Sequence, residues 1–342
     1  MFKIRYSYTA RDSALLVLFI MAVSVVYSFL FSLIVTKIAL SNGAKTQEEI
    51  MAFASLPWVN VINMFLGQVF SFGTYFIYSV VNGKKTFDAS TVKGKIRLYP
   101  ILVTMLITAV CVFGFNYMIT LVDYSIFSLT KIEVAATAIP EGFGGYIVVV
   151  IAFAIIPGIV EEFIYRGVVF NGLKRSMKPV YAILLSALIF TLIHLGIYQF
   201  VYQFIMGVIL ACLAYYTGSI LYSMIFHVTN NFLVVTLSYF APQIFSISNM
   251  SAGIVTLVLF GAIATAGVIV GLIILLKNLI KKYPTAAEVK EEKSEQDQLI
   301  ENSEGLSEYD IRQLNPPKMK DKTLVIILVS VLIVLWFATV LA

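Results

Sequence analysis

The sequence predicts an all-α, polytopic membrane protein of about eight core transmembrane helices plus a C-terminal ninth span. Of its 342 residues, 60% are hydrophobic and only 13% charged, whereas a soluble domain is nearer half apolar and a quarter charged. The mean hydropathy is +0.92. A spanning helix needs about 20 consecutive mostly apolar residues. Such stretches recur at roughly 13–36, 57–82, 99–122, 146–173, 179–196, 199–217, 219–240, 253–276 and 323–341, some interrupted by a polar residue.

The first stretch is too long for a secretory core and lacks a small-x-small cleavage site, which makes it an uncleaved signal-anchor helix. The outer 123–145 loop sets Asp123, Lys131, Glu133 and Glu141 among apolar residues and is expected to form an interfacial helix. Cys111 and Cys212 lie inside predicted spans and offer no disulfide or zinc spacing, so they read as packing residues. The eighth stretch contains Gly267-x-x-x-Gly271, a small-xxx-small pattern common in membrane helices. Residues 1–283 thus form one multi-span membrane domain. Residues 284–322 are polar, rich in Glu and Gln, and close on Pro316-Pro317, the composition of an acidic cytoplasmic linker. Residues 323–342 read as an added C-terminal anchor.

Basic residues orient the chain. With the N-terminus cytoplasmic, Lys3, Arg5, Arg11, the 83–98 loop, Lys174, Arg175, Lys178 and Lys277–Lys282 all fall inside. Of the 24 Lys and Arg, only Lys37, Lys45 and Lys131 fall outside. The positive-inside rule then gives an inner N-terminus and an outer C-terminus. The net charge of +5 follows from this bias, and no folded basic patch supports nucleic-acid binding.

Against this background, polar groups inside the spans stand out, because ionisable side chains are costly there. The fourth stretch carries Glu161-Glu162-x-x-x-Arg166. The only two histidines, His194 and His227, lie within apolar runs, as do Asn230 and Asn231. At about 1.5 Å per residue, Glu161 lies about 18 Å from the inner end of its helix, His194 about 22 Å, His227 about 12 Å and Asn231 about 18 Å. Three helices therefore deliver polar groups to one layer, provided that the fourth continues through EEFIYRG to Leu173. Pro157-Gly158 is expected to bend that helix one turn before the acids.

Glu162 and Arg166 are i,i+4 and can pair on one face. Glu161 points about 100° away, free to meet the histidines. Each group also has a structural reading: a buried ion pair for Glu162–Arg166, packing hydrogen bonds for the histidines, and helix–helix contacts for Asn230 and Asn231. As chemistry, a carboxylate and a neutral imidazole can hold a water and take its proton as it attacks a carbonyl. A second histidine and an asparagine amide are donors suited to the resulting oxyanion. A Glu161/His194/His227 zinc set is the disfavoured alternative, since there is no HExxH helix and asparagine is an unusual zinc ligand. No cofactor is expected.

Glu161-Glu162-x-x-x-Arg166-Gly167, Phe190-x-x-x-His194 and His227-x-x-x-Asn231, in that order, resemble the CPBP family over about 145–235. These are the CAAX prenyl endopeptidases and bacteriocin-processing enzymes, also called the Abi family. The resemblance implies that Glu161 activates water with His194, that His227 and Asn231 form the oxyanion site, and that Glu162 and Arg166 support the first motif. It implies a metal-independent, glutamate-type intramembrane endopeptidase, although a metalloprotease assignment has also been entertained for the family. Its substrate would be a peptide or membrane-protein segment in a bacterial cell membrane. Peptide-pheromone or bacteriocin maturation, or self-immunity, are the natural roles, with membrane lipids around the protein and a cytoplasmic partner on the 284–322 linker. The alternative is a non-catalytic scaffold, immunity factor or regulator. A proton-coupled transporter would show repeat symmetry between halves, which the sequence lacks.

Overall fold

The computed structural model describes residues 8–84, 98–130, 140–194, 200–241, 252–282 and 322–341. All described elements are helices: α1 (Ala10–Ser41), α2 (Gln47–Ala54), α3 (Pro57–Val81), α4 (Leu98–Thr130), α5 (Gly142–Ser176), α6 (Pro179–Leu192), α7 (Phe200–Thr217), α8 (Ile220–Phe240), α9 (Ala252–Lys282) and α10 (Lys322–Leu341). Seven are long and apolar enough to cross a membrane, while α6 and the Thr323–Trp336 part of α10 are shorter apolar helices. The chain is therefore an all-α, multi-pass membrane protein. Large apolar side chains such as Phe29, Leu33, Ile77, Ile263 and Val270 face outward, as lipid-facing surfaces require.

Local chemistry sets where the helices start and stop. Thr9 and Asp12 form a capping box at the head of α1. Asp12 also accepts from Tyr78 Oη at 2.9 Å and Lys84 Nζ at 2.8 Å, which fastens the end of α3 to the start of α1. Pro57 and Pro179 open α3 and α6, the position where a missing N–H costs nothing. Ser219 caps α8 directly after Gly218, whose φ of +68° is a left-handed turn that glycine adopts without strain.

Helix α5 is the hub, packing against α1, α3, α6, α7 and α8. It is continuous through EEFIYRG, so the condition for convergence holds. Two π-helical stretches, Val150–Ile155 and Phe163–Phe170, bracket the acids. The first ends immediately before Pro157, with Ile156 N–H bonded to Ile151 O. The main core cluster joins Leu16 and Val17 of α1, Val168, Phe170 and Leu173 of α5, and Phe190 of α6. A second joins Ile107 of α4, Leu210 of α7 and Leu276 of α9.

Some expectations are corrected. Residues 123–130 continue α4 instead of forming a separate interfacial helix, and 131–139 lie outside the described residues. Helix α6 stops at Leu192, short of the predicted 196, with Ile193 and His194 in a turn closed by His194 N–H on Thr191 O at 3.2 Å. The last helix is no detached anchor. Leu328 and Leu332 are buried in the main cluster, and Trp336 meets Phe200 with ring centroids 5.0 Å apart. Gly267 and Gly271 have no neighbour within 4 Å of where a Cβ would stand, so they serve no close contact among the described residues. Residues 283–321, nearly all of the acidic linker, lie outside the described residues.

Candidate active site

Glycine lets α8 close on α5. A Cβ on Gly158 would stand 2.6 Å from Val228 Cγ2 and 2.9 Å from Val228 N. One turn away, this close approach brings His227 Nδ1 to 2.9 Å from Glu162 Oε1. The same oxygen accepts from Arg166 Nη1 at 2.8 Å, giving the i,i+4 pair that the spacing predicts. Arg166 Nη2 donates to Gly207 O at 3.2 Å, and the guanidinium lies over the Phe190 ring, 4.6 Å from its centroid. Glu162 and Arg166 are sealed from solvent at 0% and 1% exposure.

Phe190 organises the other side. Its carbonyl lies 2.6 Å from His194 Nδ1. Its ring meets His194 edge-on with centroids 4.7 Å apart, and His227 at 6.0 Å. A phenylalanine four residues before the histidine thus supplies a backbone acceptor and a wall.

These contacts fix the histidine tautomers. A peptide carbonyl and an ionised carboxylate can only accept, so both Nδ1 atoms carry a proton and donate. In the neutral rings the Nε2 lone pairs are then free. Both Nε2 atoms lie near one atom: Glu161 Oε2 is 3.9 Å from His194 Nε2 and 3.8 Å from His227 Nε2. These separations exceed a hydrogen bond and suit a single shared water. The side chains of Glu161 and His194 are 15% and 26% exposed, so the pair is reachable where Glu162 is not. Two adjacent acids therefore occupy opposite environments, as their 100° offset requires.

The structure brings together Glu161, Glu162, Arg166, His194 and His227. Asn231 joins a different chain of contacts. Pro157 has no N–H to give the carbonyl four residues back, and Asn231 Nδ2 donates to that carbonyl, Phe153 O, at 3.3 Å. Asn230 Nδ2 donates to Asn231 Oδ1 at 3.3 Å, and Tyr202 Oη donates to Asn230 Oδ1 at 2.8 Å. Among the described residues, no hydrogen bond links Asn231 to Glu161 or to either histidine. It lies on the face of His227, one turn along α8.

One group was absent from the sequence reading. Gln68 on α3 donates from Nε2 to Glu161 Oε1 at 2.9 Å. No motif marks it, but depth does: it is thirteen residues from Val81, about 20 Å from the inner end of α3. The histidine–Glu162 bond was equally invisible, because spacing along one helix reveals only partners on that helix. As for metals, among the described residues no three His, Cys, Asp or Glu side chains group closely enough to hold an ion.

Residues 143–233 match the family model for type II CAAX prenyl endopeptidase Rce1-like proteins, a family of membrane proteases. No curated protein matches the chain, and no solved structure does. The matched segment contains all three motifs and both histidines. Over residues 143–233 the chain is therefore similar to the Rce1-like type II CAAX prenyl endopeptidases.

Proposed function

We propose that the protein is an intramembrane endopeptidase that hydrolyses a peptide bond with water as the nucleophile. The observation that carries this reading is the convergence of His194 Nε2 and His227 Nε2 on Glu161 Oε2, at 3.9 and 3.8 Å. A water held between Glu161 Oε2 and His194 Nε2 gives one proton to Glu161 while its oxygen bonds to the substrate carbonyl carbon. The carbonyl oxygen becomes an oxyanion, which needs donors. His227, held through Nδ1 by Glu162 Oε1, donates from Nε2 when that nitrogen carries a proton. Asn231 has a second N–H beyond the one on Phe153 O. When the intermediate collapses, the C–N bond breaks and the Glu161 proton passes to the leaving nitrogen. Atoms and charge balance with no covalent enzyme intermediate and no cofactor.

The substrate class is a peptide or a membrane-protein segment, since the site lies at bilayer depth. The basic-residue distribution supports an inner N-terminus, an outer C-terminus and entry from the cytoplasmic side. A bacterial cell membrane and maturation of a secreted peptide, or self-immunity, fit the family. Prenylation of the substrate is not implied. The test is cleavage of hydrophobic candidate peptides by the purified protein in detergent, beside Glu161→Ala and His194→Ala. Loss in both variants is expected. Equal cleavage by all three proteins would leave a scaffold or regulatory role. Activity lost to a chelator and restored by zinc would replace the metal-free mechanism.

A further inference from the structure

We infer that Gln68 is a positioning residue that determines which oxygen of Glu161 is free to act; this rests on the reading of Glu161 as the base. Gln68 lies on α3, outside the segment matched by the family model. Its Nε2 holds Glu161 Oε1 at 2.9 Å, while Oε2 is the atom facing both imidazoles. The carboxylate thus has an anchored oxygen and a working one. An ionised carboxylate only accepts, so the amide must present its NH2 group to it. Gln68 Oε1 is buried and meets no donor among the described residues, so no competing contact turns the amide.

The anchor matters because little else restrains Glu161. Among the described residues its charged neighbours within 4 Å are the two histidines alone, and both exceed hydrogen-bond distance. A partly exposed glutamate with three rotatable bonds would otherwise sample several positions. A base must be held in the attacking geometry, and a misplacement of about 1 Å can cost 100-fold in rate. The amide also suits both states of the catalytic cycle. It donates N–H to the carboxylate. After Glu161 Oε2 has taken the water proton, Oε1 is the carbonyl oxygen of the acid and still accepts from the same N–H.

A purely structural Gln68 would serve only as a contact between α3 and α5, and spectroscopy separates the two roles. Infrared difference spectra between wild type and Glu161→Gln isolate the Glu161 carboxylate bands. The same difference taken in a Gln68→Met background, which keeps length but removes the amide, is expected to shift the antisymmetric carboxylate stretch. On a peptide that the wild type cleaves, Gln68→Met is expected to lower kcat about 10- to 100-fold with KM within about twofold. Gln68→Leu also removes the donor, with a different side-chain shape, and it should be equally slow should Met disturb packing. Unchanged Glu161 bands overturn the inference, as does unchanged kcat in either variant. A shifted band in a protein whose wild type cleaves nothing supports the pairing and removes the endopeptidase reading instead.

Discussion

Glu161 and Glu162 are neighbours in sequence, yet replacing each with glutamine should have opposite consequences. Glu162→Gln removes a charge from a pair whose partner, Arg166, is only 1% exposed. Breaking one side of a buried pair typically costs about 3–5 kcal/mol, because the remaining charge is left uncompensated. It also leaves a neutral amide oxygen where the charged carboxylate oxygen orients His227. The expected outcome is a large drop in the thermal unfolding midpoint in detergent, with activity lost alongside. Glu161→Gln should leave the midpoint nearly unchanged while cleavage falls about 100- to 10,000-fold, the usual contribution of a general base. A matched stability loss in both variants would contradict the division of roles. Much of this division was legible in the sequence, because the helical offset between adjacent residues separates their faces and depth counting aligns residues across helices. What stayed hidden were contacts between helices: Gln68 on Glu161, and His227 on Glu162.

At the scale of elements, glycine positions decide how closely helices approach. Gly167 belongs to the EExxxRG motif, whereas Gly158 belongs to no motif, but their environments reverse that ranking. A Cβ on Gly167 would meet only ordinary contacts, 3.8 Å from Glu162 O and 3.9 Å from Ile220 Cδ1. Gly167→Ala should therefore be tolerated, and the higher helix propensity of alanine favours it by up to about 1 kcal/mol. At Gly158 the same methyl group would collide with the Val228 backbone nitrogen at 2.9 Å. Overpacking of this kind costs about 1–3 kcal/mol, and here it would push α8 away from α5, separating His227 from Glu162. Thermal unfolding and peptide cleavage measured on both variants check this. The prediction fails if Gly167→Ala proves the more damaging. The staple between α1 and α3 gives a related test away from the site. Asp12→Ala removes the shared acceptor of Tyr78 Oη and Lys84 Nζ, at 2.9 and 2.8 Å, and should lower the unfolding midpoint while a folded fraction keeps its kcat. Each of the nine apolar runs in the sequence overlaps a helix in the described residues, in the same order, whereas α2 (Gln47–Ala54) has no such run. The π-helical turns were not, because they change the hydrogen-bond register without altering hydropathy.

Across the whole molecule, composition reveals that helices cross the membrane but not which of their faces meet. Lipid is as apolar as leucine, so the hydrophobic effect does not mark the protein-facing side of a spanning helix. That is why α10 reads as a separate anchor in sequence, although Leu328 and Leu332 are buried in the main core cluster and α10 packs against α1 and α6. Its integration sharpens a prediction about sidedness. Seven helices meet the length and hydropathy needed for crossing, with α6 and α10 making nine crossings if both traverse the bilayer. An odd number sends the termini to opposite sides. Helix α6, with fourteen residues, is about 21 Å long against a hydrocarbon core of about 30 Å, so the parity depends on its crossing together with the turn that holds His194. Reporters fused after residue 300 and after Ala342 should therefore report different compartments: fluorescence from a cytoplasmic reporter at the first, and activity of an exported phosphatase at the second. If both fusions report the cytoplasm, α10 fails to cross. The reversed pair, outside after residue 300 and cytoplasmic after Ala342, would instead mean that α6 fails. A third fusion at the 218–219 turn tests α6 directly: a cytoplasmic signal there keeps the α6–α7 hairpin as a full excursion, whereas an outer signal would invert α8 relative to α5 and break the antiparallel pairing on which the Glu162–His227 contact depends.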